Sequence, residues 1–271
     1  MIDTYFFIPA DKEKFLKKTN ELECDYLVYD LEDAVAVENK QLAYNNLLNF
    51  PIRKGSFVRI PFFEQHFSTL QINKLVEIFE GRVLVPKLHR VPDFYKIKPL
   101  IEQYKKSVIV LIENARAFVE IGDLLKTYEQ YMLGIGFGTH DFCTENGIKH
   151  SLDNLMEYKR HLIISAKAFD VKYIDSVDLD LNDFTSFKNE CLFAFENGAD
   201  GKFLIHPEQI NQLQNVQYLS FDEIREIEHI YQLVKHINEQ SIEVYKIDGK
   251  VYEKPHIKRI NTLYNKIHKT I

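Results

Sequence analysis

The chain has 271 residues, 45% of them apolar, which suffices for one large domain with a well-buried core. Its net charge of −6 argues against a nucleic-acid partner. No run reaches the ~18 apolar residues of a membrane span, and charges are scattered through the first turns of sequence, so neither a membrane partner nor a secretory signal is expected. Three widely spaced cysteines, Cys24, Cys143 and Cys191, show no metal-ligand spacing and read as free thiols of a cytoplasmic protein.

In chain order, short β-rich runs fall at Thr4–Ile8, Tyr26–Leu31, Ser56–Ile60, Arg82–Pro86, Val108–Glu113, Met132–Phe137, Val171–Val177 and Gly201–His206. Several are almost continuously apolar, as strands buried on both faces are. Between them lie amphipathic segments at Lys12–Leu22, Glu38–Asn49, Leu70–Phe79, Pro92–Tyr104, Ala117–Tyr128, Leu155–Phe169 and Asp183–Asn197, the last followed by Gly198 where a helix cap is expected. A helix near Phe221–Glu239 and a distinct tail follow. Such regular alternation predicts a (β/α)8 TIM barrel over residues 1–240 with a C-terminal helical extension or lid over 241–271; an open doubly wound sheet is the competing arrangement.

The strand ends carry the informative residues. Asp30, Glu32 and Asp33 end the second strand, Arg59 the third, Lys87 the fourth, Glu113 the fifth, and Gly136 and Gly138 lead from the sixth to Asp141. Asp175 and His206 end the seventh and eighth. In a barrel these ends converge on one mouth, and so many charges gathered there call for a metal, mutual pairing or a charged ligand. Glu113 and Asp141 suit a hard cation such as Mg2+ or Mn2+, which takes carboxylate oxygens and retains waters. A lone strand-end Glu is more often a salt-bridge partner; the second carboxylate on the next strand changes that balance. The glycine-rich stretch Leu133–Asp141 predicts backbone N–H groups of Gly138, Thr139 and His140 placed against a ligand anion. Arg59 offers a bidentate clamp for a carboxylate, or a partner for the Asp30–Asp33 carboxylates, or both. His206 is open between acid–base work and structural hydrogen bonding, and Lys87 and Lys202 between a site role and pairing with barrel carboxylates.

Phe7-Ile-Pro-Ala-Asp11, Asp30-Leu-Glu-Asp-Ala-Val35, Val85-Pro-Lys87, Ile112-Glu113, Phe137-Gly-x-x-Asp141 and Gly201-Lys-x-x-Ile-His-Pro-x-Gln209 occur in that order. Together they resemble the citrate lyase β-subunit-like and malyl-CoA (citramalyl-CoA) lyase proteins of the HpcH/HpaI aldolase superfamily. The resemblance implies a Mg2+-dependent carbon–carbon lyase acting on a β-hydroxyacyl-CoA or related hydroxy acid and a small keto acid. It implies metal ligation by Glu113 and Asp141 and keto-acid binding by Arg59, with Asp30, Glu32, Asp33 and Lys87 supporting them from behind. It also implies a catalytic lid carboxylate at Glu253, CoA phosphate contacts from Lys12 and Lys14, and a homotrimer or hexamer in which the C-terminal segment closes over a neighbour's site. The chain departs from its relatives at Pro61, where they usually carry an asparagine, at Ala117, where they carry glycine, and at Asp11–Lys14, where they carry arginine and proline. An aldolase acting on a free hydroxy-keto acid, and a non-catalytic binding subunit of a larger complex, are the alternatives.

Overall fold

The structure is a computed structural model that describes residues 2–236 and 244–268. It forms two compact units, one of residues 3–215 and one of Met1–Ile2 with Val216–Ile271. The second therefore takes in the helix expected near residue 221 as well as the tail.

The first unit is the expected barrel. Strands β1 (Asp3–Pro9), β2 (Tyr26–Asp30), β3 (Phe57–Arg59), β4 (Val83–Val85), β5 (Val108–Ile112), β6 (Met132–Phe137), β7 (Lys172–Asp175) and β8 (Gly201–Leu204) run parallel in sequence order. β1 pairs with β8 and closes the cylinder. The connecting helices are α1 (Glu13–Leu16), α2 (Lys40–Asn49), α3 (Thr69–Ile78), α4 (Lys98–Ile101), α5 (Ala115–Val119), α6 (Ile121–Tyr128), α7 (Thr139–Asn146), α8 (Leu152–Ala168), α9 (Phe184–Glu196) and α10 (Pro207–Gln214). Among the described residues no helix is long and apolar enough to cross a membrane.

Strand alternation decides what fills the cylinder. Tyr5, Phe7, Val28, Phe57, Leu84, Ile109, Leu111, Ile174 and Phe203 pack together inside it. β6 answers these rings with glycines: a Cβ on Gly136 would lie 2.6 Å from Phe203 and 2.7 Å from Leu111. Gly134 is likewise closed in by the Lys172 carbonyl and Ile174. These two glycines thus serve close packing.

The same alternation corrects Asp175, expected at the mouth, and gives Lys202 the pairing with carboxylates that was one of its two readings. Their neighbours Ile174 and Phe203 face inward, so both point out toward the helices and miss the mouth. There Asp175 pairs with Lys159 of α8 at 3.0 Å and with Lys202 at 3.1 Å, while Glu190 of α9 meets Lys202 at 3.0 Å. All four are buried, two cations against two carboxylates, and Tyr173 donates its hydroxyl to Asp175 at 3.2 Å. Burial alone would raise the Asp175 carboxyl, but the two ammonium groups outweigh it and hold the pKa at about 2. Cys24, Cys143 and Cys191 are buried free thiols, as small core fillers are.

The second unit has its own core. Helix α11 (Phe221–Val234), the hairpin β9 (Val244–Ile247) and β10 (Lys250–Glu253), and α12 (Lys254–Ile267) pack around Ile227, Ile230, Val234, Ile257 and Ile260. Residues 237–239 of the helix expected to Glu239, and 241–243 and 269–271 of the lid segment, lie outside the described residues.

Candidate active site

A cavity of about 410 Å³ opens where the strands end. Its charged lining is Asp30, Asp33, Arg59, Glu113 and Asp141, and Gly138, Thr139 and His140 complete the polar part. The rest is apolar: Phe7, Ala34, Leu111, Phe137, Val177, Leu179, Phe203 and Ile205. The barrel thus gathers the carboxylates, the arginine and the Gly138–Asp141 turn read from the sequence.

Arg59 is fixed before any ligand arrives. Asp30, fully buried at the end of the adjacent β2, accepts from its Nε at 2.7 Å and from its Nη2 at 2.6 Å, the fork geometry that suits a guanidinium. Backbone amides of Glu32 and Ala34 donate to Asp30 at 2.8 and 3.2 Å and lock the carboxylate in place. The Nη1 of Arg59 meets Glu32 at 3.0 Å and Asp33 at 3.4 Å, and the guanidinium lies 4.9 Å from the Phe7 ring centre. Burial would lower the Arg59 pKa, but Asp30, Glu32 and Asp33 outweigh that and secure its charge. Arg59 thus pairs with the Asp30–Asp33 carboxylates, one of its two readings, and also lines the cavity.

Glu113 sits one residue beyond β5, with Asn114 capping α5 through the Ala117 amide at 2.8 Å. Its Oε2 accepts the Lys87 amide at 2.5 Å. Lys87 points its N–H there from a left-handed backbone (φ 53°), a conformation that costs a non-glycine residue about 1 kcal/mol and that tends to persist at working sites. The Lys87 ammonium pairs with Glu32, with Asp33 at 3.1 Å and with Glu64 at 3.2 Å, so it neutralises the carboxylates behind the cavity. A Cβ at Gly138 would lie 2.4 Å from the Glu113 Cγ and 2.8 Å from its Oε1. Gly138 is therefore the space that Glu113 occupies. Burial pushes the Glu113 carboxyl up to about 8, moderated by the Lys87 amide and Arg59.

A cation fits this donor set. Glu113 is a buried carboxylate with one oxygen on an amide and, among the described residues, no ion pair of its own, and Asp141, exposed in the first turn of α7, lines the same cavity. Among the described residues no group of three or more His, Cys, Asp or Glu side chains could hold a metal ion. A hard cation would thus take these two carboxylates and complete its shell with water or ligand oxygen, as Mg2+ does.

Beside Asp141, the Thr139 hydroxyl lies 2.9 Å from Nε2 of His150, and the rings of His140 and His150 stack 4.0 Å apart, 4° from parallel. Burial lowers both imidazole pKa values, which favours the neutral pair. His150 and Glu64 were not singled out in the sequence, and nothing in local spacing points to them. The remaining expectations fall elsewhere. Lys12, before α1, pairs with Asp11 at 2.7 Å, and Lys14, within α1, lies 4.8 Å from the Phe15 ring. Glu253 is exposed at the end of β10 in the second unit, its amide donating to His256 Nδ1 at 3.0 Å. His206 caps α10 by accepting the Glu208 amide at 3.2 Å, the structural alternative. It also lines a second, largely apolar cavity of about 500 Å³ with Phe6, Ile8, Phe15, Lys18 and Leu22; the two cavities share Phe7 and Ile205.

The closed barrel gathers carboxylates and an anchored arginine at its C-terminal mouth, the face on which α/β-barrel enzymes keep their chemistry. The HpcH/HpaI aldolase/citrate lyase family matches residues 3–207, and the chain belongs to it. The (3S)-malyl-CoA thioesterase of Cereibacter sphaeroides (strain KD131 / KCTC 12085) is 26% identical over 259 residues, 93% of this chain and 89% of that protein. The citrate lyase subunit beta of Leuconostoc mesenteroides subsp. cremoris is 24% identical across 94% of this chain and 90% of its own. CitE of Mycobacterium tuberculosis, solved with magnesium, acetoacetate and coenzyme A, has a TM-score of 0.76 over 98% of this chain and 97% of that one, at 22% identity. That likeness bears on the fold.

Proposed function

We propose that this protein is a Mg2+-dependent carbon–carbon lyase that cleaves or forms a β-hydroxyacyl thioester of CoA, with a small keto acid as the other product or substrate. The observation that carries the reading is the convergence of Glu113, Asp141 and an anchored Arg59 on one cavity at the barrel mouth. The magnesium found with CitE of M. tuberculosis supports the cation, and the naming of relatives for malyl-CoA and citrate lyase supports the substrate class. When bound, the cation supplies Lewis-acid polarisation of the keto-acid carbonyl. Arg59 holds the keto acid's carboxylate through the N–H that Asp30, Glu32 and Asp33 leave to it, and Asp30 keeps its plane from turning. N–H groups at the start of α7 face the developing oxyanion. The apolar walls exclude water, and the adjoining apolar cavity suits the thioester arm, with Lys12 before α1 and Lys14 within it as the candidates for its phosphates. Glu253 is the candidate for moving a proton at the acyl α-carbon, in a homotrimer or hexamer.

The test is incubation with malyl-CoA and citramalyl-CoA in the presence of Mg2+, with keto acid and free thiol measured separately. Lysis releases keto acid and leaves the new thioester intact. Release of thiol without keto acid would instead identify hydrolysis of the thioester, and keto acid from a free hydroxy acid alone would identify an aldolase that needs no CoA.

A further inference from the structure

The two carboxylates proposed for the cation are held in different ways. Glu113 is fixed directly, by the Lys87 amide on one oxygen and by its close fit over Gly138. Among the described residues no hydrogen bond or ion pair orients the Asp141 carboxylate, so its direction is set by the first turn of α7 that carries it. That turn has a weak start. The leading amides of a helix lack partners within it and are commonly met by the side chain of the N-cap residue. Here the N-cap is Gly138, which has no side chain, and Glu113 fills the volume that a capping serine or aspartate would need.

The hold comes instead from beyond the other end of the helix. Gly147 ends α7 in the left-handed conformation (φ 65°), with the Ile148 amide donating to the Cys143 carbonyl at 2.9 Å, and the chain turns back. Ser151 then caps α8, and Asn154 donates to the Lys149 carbonyl at 2.9 Å, so His150 is pinned on both sides. Its Nε2 lies 2.9 Å from the buried Thr139 hydroxyl, and its ring stacks on His140 at 4.0 Å. One imidazole thus grips the two residues that precede Asp141.

We infer that His150 is a positioning residue for the metal site, acting through Thr139 and His140 to fix the first turn of α7 and so the direction of the Asp141 carboxylate. This rests on reading Glu113 and Asp141 as the metal's ligands. A group that orients a ligand from behind commonly contributes about tenfold or more to metal affinity.

The experiment is calorimetric titration of the full chain with Mg2+ alone, beside His150→Phe, Thr139→Val and the double variant, with urea unfolding of each. His150→Phe keeps a ring for His140 and loses the bond to Thr139; Thr139→Val loses the same bond at nearly constant volume. Each is expected to weaken Mg2+ binding by about tenfold, and the double variant no further, because both remove one bond. Ile163→Val, in the buried face of α8, is the control: it is expected to lower stability and leave Mg2+ affinity unchanged. Wild-type affinity in folded His150→Phe and Thr139→Val overturns the inference, as does an equal loss in Ile163→Val, which would make the effect one of stability alone. A folded wild type that binds no Mg2+, or a Glu113→Gln variant that binds it undiminished, removes the metal reading itself, and the inference falls with it.

Discussion

Gly138 and Asp30 determine the site as much as the residues that would touch a ligand. The Glu113 side chain occupies the volume that any Cβ at position 138 would need, with 2.4 Å to its Cγ. Gly138→Ala is therefore expected to displace Glu113, to weaken Mg2+ binding by about tenfold or more, and to cost about 1–3 kcal/mol of stability. Parallel urea unfolding and metal titration check both effects. Asp30→Ala removes the buried partner of two Arg59 nitrogens and leaves a guanidinium short of compensation. Its expected cost is about 3–5 kcal/mol, read from the shift in urea midpoint, together with loss of keto-acid binding. Among these groups the sequence shows which residues end the strands. It does not show that Lys87 adopts a left-handed backbone to reach Glu113, or that His150 comes back against Thr139. Both depend on contacts between separate loops.

The cluster joining β7, β8, α8 and α9 shows how elements are held to one another. Lys159, Asp175, Glu190 and Lys202 are buried as a neutral group, and removing one member strands the others. Lys202→Met is expected to destabilise the protein by about 3–5 kcal/mol, and adding Glu190→Gln to recover part of the loss, because charge balance returns. A double-mutant cycle by urea unfolding measures this. The same cluster sets an acid limit. The Asp175 pKa is depressed in the folded chain, from 3.8 to about 2, so its stabilisation is complete above about pH 4 and disappears as pH falls through about 2. Stability is expected to fall by roughly 2 kcal/mol over that window, with Glu190, also depressed, adding to the loss. Denaturant midpoints from pH 5 to 2 would show it; a flat profile would contradict it. The continuous apolar runs made the eight strands readable, whereas α7 and α10 escaped because each is only eight residues long and follows directly on a strand. The hairpin β9–β10 did leave a signal. Asp248-Gly249, both at positive φ, is the two-residue turn expected between alternating runs, and tail residues 244–253 could have been read from it.

For the molecule as a whole, the alternation of short apolar runs and amphipathic segments was enough to separate a closed barrel from an open sheet, because the number of repeats matches closure. Which strand-end charges face the mouth was not readable from position alone. Inward and outward sides alternate, and Asp175 and Lys202 fall on the outer one. Glu113 and Asp141 are proposed to hold a cation that brings a keto acid into the cavity. The most direct test is titration of the folded protein with pyruvate, with and without Mg2+, beside Glu113→Gln and Asp141→Asn. Mg2+ is expected to tighten keto-acid binding in the wild type, and either substitution to abolish the gain. A folded wild-type protein that binds the keto acid equally well without Mg2+ would contradict it.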